Sequence, residues 1–346
     1  MILTVSTPGC GAHPEAWRFS SAPPAPSLAW FRALTRTAER GRLDAILLDG
    51  QWGPGASFAL DPMPLVAALA ECSTRIGLGG AIALDHAEPF NIARTFAAID
   101  RLTAGRSAWI AVTGTARPGD YGHAPVRTVE ERQARAAECI AVVRKLWDSW
   151  EDEAILLDKP GGRFSNPDRV HRIDHAGPFF SVRGPLNAPR PLQGNPPVFQ
   201  RDASAEGLAL ARQTADVFVA SVADPSALTA IRRALGERPR LLATIVPLLA
   251  PTQAEADARA AALGEGTNAG LAFIGTPDGL ATRLAELSPL CDGFDIAPAV
   301  LPLDLDLLVD ETVPRLRALG LRPATYEGFT LRRHLRLPRP RSQFAA

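Results

Sequence analysis

The sequence has no surplus of either charge: 37 basic and 37 acidic side chains cancel. A chain without a global field has nothing to draw it to nucleic acid or to an anionic membrane surface. It has no apolar run near the ~20 residues that a membrane-spanning helix needs. The opening MILTVSTPGC has no basic segment ahead of its short apolar run, so a cytoplasmic location is expected. Cysteine is scarce. Cys10, Cys72, Cys139 and Cys291 are widely spaced with no CxxC pair, which indicates neither a zinc site nor a disulfide framework and leaves them as small buried hydrophobes. The six histidines show no HExxH spacing; His171 and His175 in HRIDH are four apart, but Pro167 and Gly177 beside them argue for a loop. No metal is expected. The dinucleotide fingerprint GxGxxG is also missing, since the first turn reads TPGCGAHPEAW.

What is present is a regular alternation of apolar strand-like runs and amphipathic helical stretches. ILTV is followed by a helix that starts at Ser27, a good N-cap, and stops at Gly41. DAILL, IGLGGAIAL, SAWIAVT, PVF, DVFVA, LLATIVPLL and GFDIA are the later strands, and a long helix over Val129 to Asp148 closes the first half. Eight strands, most followed by a helix, predict a closed parallel (β/α)8 barrel in a chain of 346 residues, taken as one domain over 1–346. Residues 149–196 form a Pro/Gly-punctuated insertion between the fourth helix and the fifth strand, in which FFSVRG reads as one arm of a hairpin. The tail, 321–346, holds five arginines between Arg332 and Arg341; a solvated or core-strapping segment is favoured over an anion site.

Several stretches resemble one family in order along nearly the whole chain. They are HPEAWR, ERGRLDAILLDG, EPFNIARTFAAIDRLTAGR, LWDSWEDEA, the run from DKPGGRF to NPPVFQ, GTPDGLATRLAE and YEGFTLRRHLRLPRP. They look like the nitrilotriacetate and dibenzothiophene-sulfone monooxygenase branch of the bacterial luciferase-like flavoproteins. The resemblance implies an α/β luciferase-like TIM barrel, a two-component monooxygenase using FMN reduced by a separate flavin reductase, O2 and a small organic substrate, and a homodimer or homotetramer.

The same resemblance assigns flavin contacts to Asp49, which ends the second strand, and to Thr113, Gln200 and Ser204; Arg201, where the chain departs from the family pattern, is a further candidate contact. It is weaker at other contacts. Ala83, Leu84 and Asp85 stand where hydroxyl residues are expected, Ile110 and Gly114 replace an amide and a hydroxyl, and Val129 and Gln133 align with a His and a Tyr. The family's phosphate turn reads roughly Q-A-G-x-S, whereas this chain has Gln200, Arg201, Asp202 and Ser204. Asp202 forfeits the glycine that lets the backbone approach a phosphate. Arg201 either compensates with a charge-assisted bond or pairs with Asp202 and leaves the cradle empty. The stretch before FIGTPDG is also shorter than in typical relatives.

For chemistry, His13 and His86 lie just past presumed strand ends and are the candidate general acid and base, each also readable as a structural histidine. Trp17, Trp52 and Trp109 are pocket-wall or packing residues, and Glu88 suits the start of a helix. Two functions follow: a flavin-dependent monooxygenase with a degenerate flavin site, and a non-catalytic or repurposed subunit that has lost flavin. Deazaflavin use is a third option.

Overall fold

Ser27 accepts a hydrogen bond from the Trp30 N–H at 3.2 Å and opens helix α1, Leu28–Arg40, which ends at Gly41. The same logic of cap, apolar stripe and stop recurs along the chain. The computed structural model describes residues 1–346 apart from 24, 26, 50–59, 115–126, 267–269 and 346. Trp52 therefore lies outside the described residues.

Eight strands close the barrel: β1 Ile2–Ser6, β2 Ala45–Leu48, β3 Gly77–Ala83, β4 Ser107–Val112, β5 Val198–Gln200, β6 Val217–Ala220, β7 Arg240–Leu249 and β8 Gly293–Ile296. Every neighbour pair is parallel, and β8 returns to β1 with Ile296 opposite Val5. The expected barrel is thus the observed one. The helices that follow are α2 Pro62–Ala70, α3 Pro89–Leu102, α4 Val129–Asp148, α5 Ala205–Thr214, α6 Ala227–Leu235, α7 Gln253–Leu263 and α8 Pro277–Leu287, before a final helical stretch from Leu303 to Ala318.

A strand beside the ring was not anticipated. Among the described residues, Leu271–Gly275 pairs only with Ile245–Leu249, the outer half of the long β7, and so lies outside the closed ring.

Strand side chains alternate between the barrel interior and the helix layer. Leu3, Val5, Ile46 and Phe294 pack with the helices, whereas Ile2, Ala45, Leu47, Ile110 and Phe199 form the interior floor. Leu331, Leu335 and Leu337 of the tail belong to the same interior cluster. Gly77 makes room for them, since a Cβ there would fall 2.5 Å from Leu331 Cδ1 and 2.9 Å from the Asp44 carbonyl oxygen.

The tail is a strap. Arg332 donates to the Asn195 carbonyl at 2.6 Å, Arg339 forks onto Asp152 with two 2.7 Å bonds, and Gln343 reaches Asp148 at 3.1 Å. Within residues 149–196, Ile155–Asp158 pairs with Arg163–Ser165 and His175–Ala176 with Ser181–Val182, both antiparallel. Glu138 of α4 holds the second hairpin by accepting from the Phe179 and Phe180 amides at 3.1 and 2.9 Å and bonding His175 at 3.0 Å. His171 instead bonds Glu151 at 2.6 Å and stacks on Phe344, so the two histidines of HRIDH serve different contacts.

Candidate functional site

Period-two alternation carries past the strand ends and decides what faces the carboxyl-terminal mouth. Thr4 and Ser6 follow Ile2 inward, Asp49 follows Leu47, Arg201 follows Phe199, and Asp295 faces in between the outward Phe294 and Ile296. These groups form one network above the apolar floor. Asp295, whose side chain is 1% exposed, accepts from the Thr4 hydroxyl at 2.6 Å, the Ser6 hydroxyl at 2.8 Å and Arg201 Nη2 at 3.4 Å. Arg201 Nη2 also donates to Ser6 at 2.8 Å, and Nη1 donates to Asp49.

Burial pushes the Asp49 carboxyl above its ordinary range, with the Asp295 charge adding to the rise and Arg201 opposing it. Burial works against the Arg201 guanidinium, but the carboxylates of Asp49 and Asp295 outweigh it, and its pKa lies above the usual arginine value. Two acids thus share one base at the barrel centre.

Beside the network lies a cavity of about 380 Å3, lined by Asp49, Ala81, Ile110, Val112, Thr113, Gln200, Arg201 and Asp202 together with Ala111, Gly207 and Leu210. Gln200 is buried; its Nε2 donates to Thr214 at 2.9 Å and its Oε1 has no partner, and neither has Arg201 Nε. The structure thus brings together Asp49, Thr113, Gln200 and Arg201.

Ser204 is placed differently. It is exposed, outside the lining, and caps α5 by accepting from the Gly207 amide at 3.0 Å. Arg201 does not pair with Asp202, because the inward phase of the strand turns it to Asp49. Asp202 folds back onto α5 instead, where Oδ1 accepts from the Ser204 amide at 2.9 Å and Oδ2 from Gln133 Nε2 at 3.1 Å.

The two candidate histidines do not line the cavity. His13 is buried, its Nδ1 accepts from the Glu15 amide at 3.1 Å, and Gly266 lies so close that a Cβ there would be 2.4 Å from Nε2. His86 is half-buried beside Asp85, which accepts from the Gly114 amide at 3.2 Å. Trp109 is fully buried against Phe96 and Trp147, whereas Trp17 is 66% exposed. Glu88 stands at the N-cap position of α3 but makes no side-chain cap bond. Thr4, Ser6 and Asp295 were not singled out from sequence; an acid inside the apolar run GFDIA was the available signal.

Comparisons with known proteins extend this geometry. The Luciferase-like monooxygenase family matches residues 2–286. The chain is 30% identical to an N-acetyl-S-(2-succino)cysteine monooxygenase of Bacillus subtilis (strain 168), with 99% of this chain and 98% of the relative covered. That alignment runs over 437 positions for a chain of 346 residues, the excess being gaps in this chain. It is 31% identical to nitrilotriacetate monooxygenase component A of Aminobacter aminovorans, covering 97% and 96%. The solved EDTA monooxygenase of Chelativorans sp. BNC1 is similar with a TM-score of 0.84 at 28% identity, covering 98% of both chains. The chain belongs to the luciferase-like monooxygenase family, whose two-component members use FMN reduced by a separate reductase.

Proposed function

We propose that the chain is the oxygenase component of a two-component flavin system, that it acts on a small organic substrate at the carboxyl-terminal mouth of the barrel, and that its flavin site is altered at the phosphate end. The cavity carries this reading. Its volume lies in the range of small-molecule sites, and Ala81, Ile110, Val112 and Leu210 give an apolar wall suited to a flat ring system. Gln200 Oε1 and Arg201 Nε, buried and unpartnered, supply an acceptor and a donor for the polar edge of such a ring. The ring end therefore fits a flavin. The phosphate end fits poorly, because the carboxylate of Asp202 already sits against the first turn of α5.

When bound, reduced flavin supplies the electrons that activate oxygen. The chain's own task is to orient, to exclude water and to manage protons. The apolar wall keeps the site dry. Asp49, the lining carboxyl whose pKa burial raises, is better placed than His13 or His86 to hold a proton at the cavity. Arg201 keeps a fixed positive charge beside it. A flavin reductase as the source of reduced flavin, and self-association of the chain, belong to the same reading.

A second reading, a subunit without flavin chemistry, is favoured by one observation: Arg201 closes onto Asp49 and so occupies the barrel centre with an internal pair. Anaerobic titration with reduced FMN, followed by oxygen uptake on mixing with air and candidate substrates, separates the two. The flavin reading expects saturable binding of the oxidised cofactor no tighter than about tens of micromolar, from the loss of several hydrogen bonds at roughly 0.5–1.5 kcal/mol each. Binding of neither redox form would favour the flavin-free subunit, and submicromolar FMN affinity would refute the altered phosphate end.

A further inference from the structure

We infer that Asp202 takes the place of a ligand phosphate, so that the cavity selects a flavin lacking a phosphate over one that carries it. The inference rests on the flavin reading above and concerns only the end of the ligand that meets α5.

The start of a helix attracts anions because its first amides lack partners and carry partial positive charge. Here an anion of the chain itself has taken that place. Asp202 Oδ1 accepts from the Ser204 amide at 2.9 Å and Oδ2 from Gln133 Nε2 at 3.1 Å, while the Ser204 hydroxyl takes the Gly207 amide at 3.0 Å. The carboxylate lies so tightly on the first turn that a Cβ on Gly207 would fall 2.3 Å from Asp202 Cγ. Glu206 adds a second acid to that turn. Arg201, the one cation among the described lining residues, is directed to Asp49, Ser6 and Asp295.

The free valence at this spot also has the wrong sense for phosphate. Gln133 Oε1 is buried without a partner and needs a donor. Phosphate oxygens of a dianion only accept, and they would bring nearly two negative charges next to Asp202 and Glu206. A chain ending in a hydroxyl can donate to Gln133 Oε1 or to the Asp202 carboxylate, the latter as a charge-assisted bond. Riboflavin has such an end, and FMN does not.

The test is equilibrium binding of oxidised riboflavin and oxidised FMN to the full chain, read by quenching of flavin fluorescence. The native protein is expected to bind riboflavin at least about tenfold more tightly than FMN, a factor that corresponds to roughly 1.4 kcal/mol. Asp202→Asn keeps an acceptor for the Ser204 amide and removes the charge; it should strengthen FMN binding about tenfold and should not strengthen riboflavin, whose hydroxyl end loses a charged acceptor. As a check that needs no variant, raising salt from about 0.02 to 0.5 M should strengthen FMN binding to the native chain and leave riboflavin unchanged, because screening weakens repulsion. FMN binding as tight as riboflavin, or FMN affinity unaffected by both the substitution and salt, overturns this inference alone. Binding of neither flavin overturns the flavin reading and this inference with it.

Discussion

Replacing Arg201 by methionine removes the one cation among the described residues in contact with both Asp49 and Asp295 while keeping a long apolar stem in the barrel. At the 3.4 Å that separates Arg201 Nη2 from Asp295 Oδ2, Coulomb attraction amounts to about 5 kcal/mol at an effective dielectric of 20 and about 1 kcal/mol in water. The pair lies between those limits, since the Asp295 side chain is 1% exposed but those of Arg201 and Asp49 are 28% and 27% exposed. Breaking a fully buried pair costs about 3–5 kcal/mol. With Thr4 and Ser6 still bonding Asp295, we expect Arg201→Met to lose about 2–4 kcal/mol in urea unfolding at pH 7.5. The sign of its pH dependence follows. Without the cation that opposes it, burial raises the Asp49 carboxyl further, so the folded state binds more protons there and the deficit shrinks as pH falls toward 5. Adding Asp49→Asn should recover about 1–2 kcal/mol, a coupling measurable in a double-mutant cycle. A single variant within about 0.5 kcal/mol of native, or a deficit that grows on acidification, would refute the assignment of Arg201 as the charge that holds this centre together.

Much of the barrel was legible because caps and periodicity are local. Ser27, Gly41 and the 129–148 helix needed nothing beyond the sequence, and the insertion hairpin around Ser181 followed from one short β-prone run. The outer strand Leu271–Gly275 was missed because it is short and pairs only with an extension of β7, whose length beyond the ring has no sequence mark. The site was legible one residue at a time but not as a network. Asp49 and Arg201 were both singled out, and alternation from Leu47 and Phe199 was enough to aim both inward. Their meeting depends on the stagger of strands two and five around a closed ring, which no local pattern encodes. The surroundings of His13 were hidden for the same reason: a position just past a strand end says nothing about Gly266, which lies against it from a segment far along the chain.

Ser204→Ala, which removes the cap of α5, should cost about 1 kcal/mol in chemical denaturation, and a neutral result would mean that the cap bond is not formed in solution. Leu331→Ala empties part of the barrel floor and should cost about 2–5 kcal/mol; a loss below about 1 kcal/mol would show that the tail does not plug the barrel. The final expectation concerns acid. Burial alone would raise the Glu138 carboxyl, but bonds from His175 and from the Phe180 and Phe179 amides outweigh it and hold its pKa below the ordinary 4.5. A depressed folded pKa contributes stability that is present above the unfolded value and is lost as pH falls through the folded one. The hairpin His175–Val182 should therefore loosen below pH 4.5 before the barrel does, seen as faster hydrogen exchange at the Phe179 and Phe180 amides relative to β3 after correction for intrinsic rates. Glu138→Gln should show that loosening already at neutral pH and little further change on acidification. If the variant retains the native pH response, Glu138 is not the group that anchors the hairpin to α4.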